Sequence, residues 1–171
     1  MEGKTCCVSG HRDILADETA HVKEALRQEI EKAVNDGFTA FLSGFADGVD
    51  QNFAEIILEM QNENPNLKLI AVLPYQKRMD SLYQKEHTNA LLDACAEVIV
   101  IQEEYRPNVY AKRNRYMVEH SDRVIAVYDG REKGGTVKTI RFAHQFRKEL
   151  REIPVGLNLD KNRTNLGQSR R

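Results

Sequence analysis

The chain has 171 residues, 41% of them hydrophobic and 30% charged, with 25 Lys+Arg against 26 Asp+Glu. That length suits one domain, large enough to bury a core without disulfide or metal staples. Residues 161–171 hold Lys161, Arg163, Arg170 and Arg171 and no acid, which leaves 21 bases against 26 acids in the body, a net −5 that opposes general nucleic-acid binding.

Thr5 to Val8 reads as a short buried strand that stops at Ser9-Gly10. From about Asp17 to Asp36, Val22, Ala25, Leu26, Ile30, Ala33 and Val34 recur at helical spacing, and Gly37 is placed to end that helix. Thr39 to Leu42 is strand-like and again stops at Ser-Gly (Ser43, Gly44). Val49, Phe53, Ile56, Ile57 and Met60 mark a second amphipathic helix, ended by Asn62 to Pro65. Leu67 to Leu73 reads as a strand broken by Pro74. Ser81 to Cys95 reads as a helix with Leu82, Leu91, Leu92 and Cys95 turned inward.

Val98 to Ile101 is a fourth strand, Tyr110 to His120 a helix carrying Met117 and Val118, and Val124 to Tyr128 a fifth strand. A helix from Gly135 or Thr136 to Leu150 and a strand from Ile153 to Leu157 complete the series. Strand–helix units with nearly continuous apolar strands predict an α/β fold: one doubly wound, Rossmann-like domain over 1–157, mainly parallel, with helices on both faces. Residues 158–171, polar and Arg-containing, are expected to form a disordered basic tail.

Other classes fall away. No run approaches the ~18–20 apolar residues of a membrane span, and Met1 to Cys7 lacks the pattern of a secretory signal. Three cysteines, two of them adjacent, make a poor disulfide framework, and no Cys-x-x-Cys or His/Cys cluster suggests a metal. A reduced, cytoplasmic chain without a metal is the expectation. Cys6 and Cys7 should point to opposite faces of their strand, as small core residues.

Ligands of such a sheet bind outside the carboxyl ends of the strands, where strand order reverses. Those loops hold Ser9-Gly10-His11-Arg12, then Ser43-Gly44 through Gly48 to Asp50, then Tyr75, then the approach to Tyr110 and Arg113, then Gly134-Gly135-Thr136. Glycine lets backbone approach a phosphate, helix starts near Gly48 and Gly135 offer free N–H groups, and Arg12 and Arg113 offer guanidinium forks. Neither Gly-x-Gly-x-x-Gly nor a P-loop is spelled. Each residue also has a plainer reading. Arg12 can pair with a helix carboxylate, Arg113 can belong to a solvated basic face, and Asp47 and Asp50 can stabilise a helix start. Asp50 can equally accept a ribose hydroxyl or tie down its loop's amides. His11 can be a base or a hydrogen-bond donor, and Tyr75 and Tyr110 can stack on a base or cap the core. Glu86, Glu103 and Glu104 are acids near the expected pocket, with nothing in their spacing to single one out.

The stretches Val8-Ser-Gly-His-Arg12, Leu42-Ser-Gly-Phe-Ala-Asp-Gly-Val-Asp50, Arg113 to Met117, Ser121 to Asp129 and Gly134-Gly-Thr to Ala143 resemble the SLOG superfamily, the SMF/DprA–LOG group, and most closely its YpsA-like branch. They run in the family's order across about 8–157. The resemblance implies a parallel sheet, a nucleotide or nucleotide-derivative pocket, no required cofactor beyond that ligand, and a homodimer. It offers a nucleotide sensor or regulator first, an N-glycosidic hydrolase or transferase second, and a scaffold with a vestigial pocket third. LOG phosphoribohydrolases carry Gly-Gly-x-Gly-Thr-x-x-Glu, and Arg113 sits like their helix arginine. Aligned on Gly-Thr, however, their glutamate position is Thr139 here, which cannot serve as acid, base or carboxylate. DprA-like relatives bind single-stranded DNA, which the acidic body opposes.

Overall fold

A computed structural model describes residues 3–156. The expected basic tail at 158–171 lies outside the described residues. Among the described residues six strands form one sheet: β1 (Lys4–Gly10), β2 (Phe38–Ser43), β3 (Lys68–Tyr75), β4 (Glu97–Gln102), β5 (Arg123–Tyr128) and β6 (Glu149–Pro154). Their order is β4-β3-β2-β1-β5-β6, and every neighbouring pair is parallel. The chain steps outward from β1 to β4, then returns to the far side of β1 as β5. The switch point therefore lies between the carboxyl ends of β1 and β5.

The helices are α1 (Thr19–Asn35), α2 (Val49–Gln61), α3 (Gln76–Tyr83), α4 (Glu86–Asp93), α5 (Val109–Glu119) and α6 (Gly135–Gln145), with a 3-10 turn at Ala16–Glu18. The helices of the outward steps pack on one face and those of the return on the other, the arrangement that crossovers of one hand produce. Leu26, Ile30, Phe53, Ile57, Leu82 and Leu92 of α1–α4 pack with Cys6 on the first face. Met117 and Val118 of α5 and Ala143 of α6 pack with Cys7 on the second. The two adjacent cysteines thus do point to opposite faces, both fully buried.

Four boundaries differ from the sequence expectation, one of them the last strand, expected from Ile153 and found as Glu149–Pro154. Pro74 does not break β3: pairing with β2 ends at Ala71, and pairing with β4 passes from Leu73–Val100 to Tyr75–Gln102, so its missing N–H interrupts no paired position. The helix expected over 81–95 is two helices, the first beginning at Gln76. They part at Lys85, whose backbone is extended, and the buried Thr88 hydroxyl donates to the Leu82 carbonyl across the break. Finally, α6 stops at Gln145 and not at Leu150. Arg147 takes a left-handed φ of 54°, its N–H bonds His144 O at 3.2 Å and the Lys148 N–H bonds Ala143 O at 2.9 Å. That is a Schellman closure with arginine in place of glycine, and it releases Glu149 and Leu150 into β6. Gly37, at φ 92°, closes α1 as expected.

Candidate functional site

A cleft of about 360 Å³ opens at the switch point, between the loops that follow β1 and β5 and the first turns of α5 and α6. Ser9, Gly10, His11 and Arg12 line it from the first loop, and Gly134, Gly135 and Thr136 from the start of α6. Asp50, Tyr110 and Arg113 complete the expected residues that it brings together.

On the β5 side, His11 is buried, with Nε2 3.1 Å from Asp129 Oδ1 and 3.2 Å from the Asp129 N–H. Burial lowers the His11 pKa and favours the neutral ring, which accepts that N–H; the Asp129 charge opposes the shift. Arg131 grips the Asp129 carboxylate, with Nε 3.0 Å from both oxygens and Nη2 2.6 Å from Oδ2, and this holds the carboxyl down at about 2. The same guanidinium reaches Asp13 Oδ1 at 3.0 Å, tying the two switch-point loops together. Ser9 Oγ lies 3.2 Å from Thr136 Oγ1, at the N-terminus of α6, whose first amides have no partners within the helix.

On the β2 side stands Arg113, 5% exposed. Its Nη1 donates to Gly44 O at 2.8 Å and Val72 O at 3.3 Å, and its Nε to Asn114 Oδ1 at 2.9 Å. Among the described residues no carboxylate lies within 4.0 Å of it. Burial lowers its pKa, partly offset by the field of Asp50. The guanidinium carbons of Arg12 and Arg113 each lie 5.6 Å from the Tyr110 ring, within cation–π range.

Four expected residues do not line this cleft; they support it. Ser43 is fully buried, donating to Asp50 O at 2.9 Å and accepting the Phe45 N–H at 3.3 Å. Gly44 leaves room for Arg113: a Cβ there would fall 2.5 Å from Nη1. Gly48, at φ 84°, starts α2, and Tyr75 meets Tyr110 edge-on at 6.3 Å. Gly10 has a packing reason of its own, since a Cβ would meet Val49 of α2 at 2.6 Å. Asp47 is exposed and accepts from Gln51, while Glu86, Glu103 and Glu104 are exposed and away from the cleft. Thr139 is buried, with Oγ1 donating to Gly135 O at 3.0 Å inside its own helix.

Asp13, Ala46, Asn114, Met117 and Arg131 also line the cleft without having been expected there. Arg131 follows a strand just as Arg12 does, so position alone could have flagged it. Met117 and Asn114 share α5 with Arg113, and only the helix's orientation separates them from their neighbours.

The model described as the YspA SLOG family matches residues 8–155. The chain is 31% identical over 117 residues to the SPbeta prophage-derived protein YoqJ of Bacillus subtilis, covering 60% of this chain and 68% of that one. It is 29% identical over 133 residues to a UPF0398 protein of Bacillus thuringiensis, covering 75% and 72%. Among solved structures, DNA processing protein A of Streptococcus pneumoniae matches with a TM-score of 0.67 at 19% identity, over 98% of this chain but 57% of that protein. The Helicobacter pylori protein of the same name, described by its single-stranded DNA binding mode, matches with a TM-score of 0.64 at 23% identity, over 91% and 67%. The Moco carrier protein of Chlamydomonas matches with a TM-score of 0.52 at 16% identity, over 98% and 86%. At these identities the three solved structures show a shared fold.

Proposed function

We propose, from the premise that this chain belongs to the YspA SLOG family, that its switch-point cleft holds a phosphorylated nucleotide or nucleotide derivative and that the protein senses or carries it. The observation that carries this reading is Arg113: a guanidinium 5% exposed, lining the cleft, with no described carboxylate within 4.0 Å. Asp50 acts on this cation through its field without an ion pair, so the guanidinium keeps a donor for an oxygen-rich, anionic ligand. The α6 N-terminus, with Ser9 and Thr136, supplies neutral donors for a phosphate on the other side.

Hydrolysis of the LOG kind is not part of this reading, because Thr139 spends its hydroxyl on its own helix. A cytoplasmic setting fits three free cysteines. We also propose a homodimer, supported by the half-exposed apolar side chains of edge strand β4, with light scattering to read its mass.

Calorimetry and thermal melts of the full chain with AMP, ADP, ADP-ribose and a single-stranded oligonucleotide test the proposal. A phosphorylated nucleotide at 100 times its Kd should raise the melting temperature by roughly 5–10 °C. Arg12→Ala, an exposed change, should weaken that binding. Failure of every phosphorylated compound with the fold intact would refute the reading, tight oligonucleotide binding alone would transfer it to DNA, and free base released from AMP would make the protein a glycosidic enzyme.

A further inference from the structure

Asp50, in the first turn of α2, is 6% exposed and lines the cleft. Its Oδ2 accepts the Ala46 N–H at 3.1 Å. Among the described residues its Oδ1 has no hydrogen-bond partner, and no side-chain oxygen or nitrogen is both fully buried and unpartnered. That oxygen therefore opens on the cleft. Arg113 is arranged alike: Nη1 and Nε are taken by Gly44, Val72 and Asn114, and Nη2 is left over on the same wall.

Asp50 and Arg113 thus present one acceptor and one donor that form no ion pair with each other. A phosphate oxygen would be repelled by Asp50, which directs the anionic end of a ligand toward α6, Ser9 and Thr136. A hydroxyl fits between them, because it donates to a carboxylate and accepts from a guanidinium through the same oxygen. A ribose offers adjacent hydroxyls of this kind.

We infer that the free oxygen of Asp50 receives a ribose hydroxyl, so that the cleft selects ribosyl phosphates over their 2-deoxy counterparts. The inference rests on the phosphate reading of the same cleft. A site built to bond a hydroxyl discriminates strongly against the analogue lacking it, because the polar group is left desolvated and unpaired.

The test is calorimetry of the full chain with two ribosyl/2-deoxy pairs, ribose 5-phosphate with 2-deoxyribose 5-phosphate and AMP with 2′-deoxy-AMP, and a fifth probe, purine riboside 5′-monophosphate, which lacks the exocyclic amine. The ribosyl member of each pair should bind about tenfold to a hundredfold more tightly. Asp50→Asn, which keeps the shape and removes the charge, should narrow that ratio; should it not fold, the ratio in the native chain decides alone. Equal binding within both pairs overturns the inference and leaves the phosphate reading standing, whereas no binding of any probe by the folded chain removes both. A purine ribonucleotide lacking the exocyclic amine that binds worse than AMP, with no penalty for the 2-deoxy sugar, would assign the oxygen to a base and likewise overturn it.

Discussion

Gly44→Ala is the sharpest probe of how the cleft is held. Gly44 is outside the left-handed region, so alanine costs nothing in backbone strain. Its added carbon would lie 2.5 Å from Arg113 Nη1, 2.7 Å from Cζ and 3.0 Å from Asp50 Oδ2. The guanidinium must retreat by about 1 Å to reach ordinary contact. That retreat strains the bonds from Nη1 to Gly44 O at 2.8 Å and Val72 O at 3.3 Å, the second of which has almost no reach to spare. Two buried carbonyls weakened or stranded this way should cost about 2–4 kcal/mol, a melting temperature lower by roughly 5–15 °C in a domain of this size. The displaced Arg113 should also bind AMP at least tenfold more weakly, since a shift of this size spoils a charge-assisted contact. Differential scanning calorimetry and AMP titration read both quantities. A variant that melts within about 1 °C of the native chain and binds AMP unchanged would show that Arg113 is not wedged by Gly44.

Thr139→Val should leave AMP binding unchanged in calorimetry and lower stability by less than about 1 kcal/mol, because the hydroxyl serves only Gly135 O. Arg147→Gly should raise the urea midpoint, by about 0.5–1 kcal/mol of stability, since an exposed arginine sits at a left-handed helix stop that glycine adopts freely. Urea midpoints from pH 2 to 8 should show two limbs. Asp129 has its folded pKa depressed from 3.8 to about 2 by Arg131, so its contribution is present above about pH 4 and fades as pH falls toward 2; Asp129→Asn should flatten that limb. His11 has its pKa lowered from 6.5 by burial, so the unfolded ring binds a proton first and stability declines as pH drops below about 6.5; a decline unchanged in His11→Asn would refute this assignment.

Much of the fold was legible because its strands are buried on both faces and therefore spell apolar runs, and because Gly37 announces a helix stop. The misread boundaries share a cause: the deciding group was not the usual one. Arg147 closes α6 where glycine is the common signal, and Thr88 bridges a break between α3 and α4 that no proline or glycine marks. The site was legible as a set of loops, since strand ends converge on one edge of a parallel sheet whatever their sequence. It was not legible as a set of directions. Ser43 and Gly44 look like ligand contacts in sequence, yet one is spent inside its loop and the other makes room for an arginine from α5, 69 residues away. Arg113 among Lys112 and Arg115 reads as a solvated face until the helix is oriented, when it alone of the three is buried.

The pairing of arginines shows how an acidic body can keep positive charge at the proposed phosphate cleft. Arg27, Arg123, Arg131 and Arg151, buried or half-buried, each meet a carboxylate. Arg78 and Arg113 are also buried or half-buried, yet among the described residues neither has a carboxylate within 4.0 Å. Both hold main-chain carbonyls of the same loop instead: Arg113 takes Gly44 O, and Arg78 takes Phe45 O at 3.2 Å, where buried Phe45 is turned to a left-handed φ of 56°. Carbonyl dipoles fix a guanidinium without neutralising it, so the two cations keep their charge for whatever enters beside them. Burial raises the pKa of Asp50, the buried carboxylate beside them, and Arg113, the Ala46 N–H, Arg12 and Arg78 oppose that shift. Local charge at the cleft is thus set by which arginines are denied a partner, and net charge, summed over a surface that is mostly elsewhere, carries little information about it.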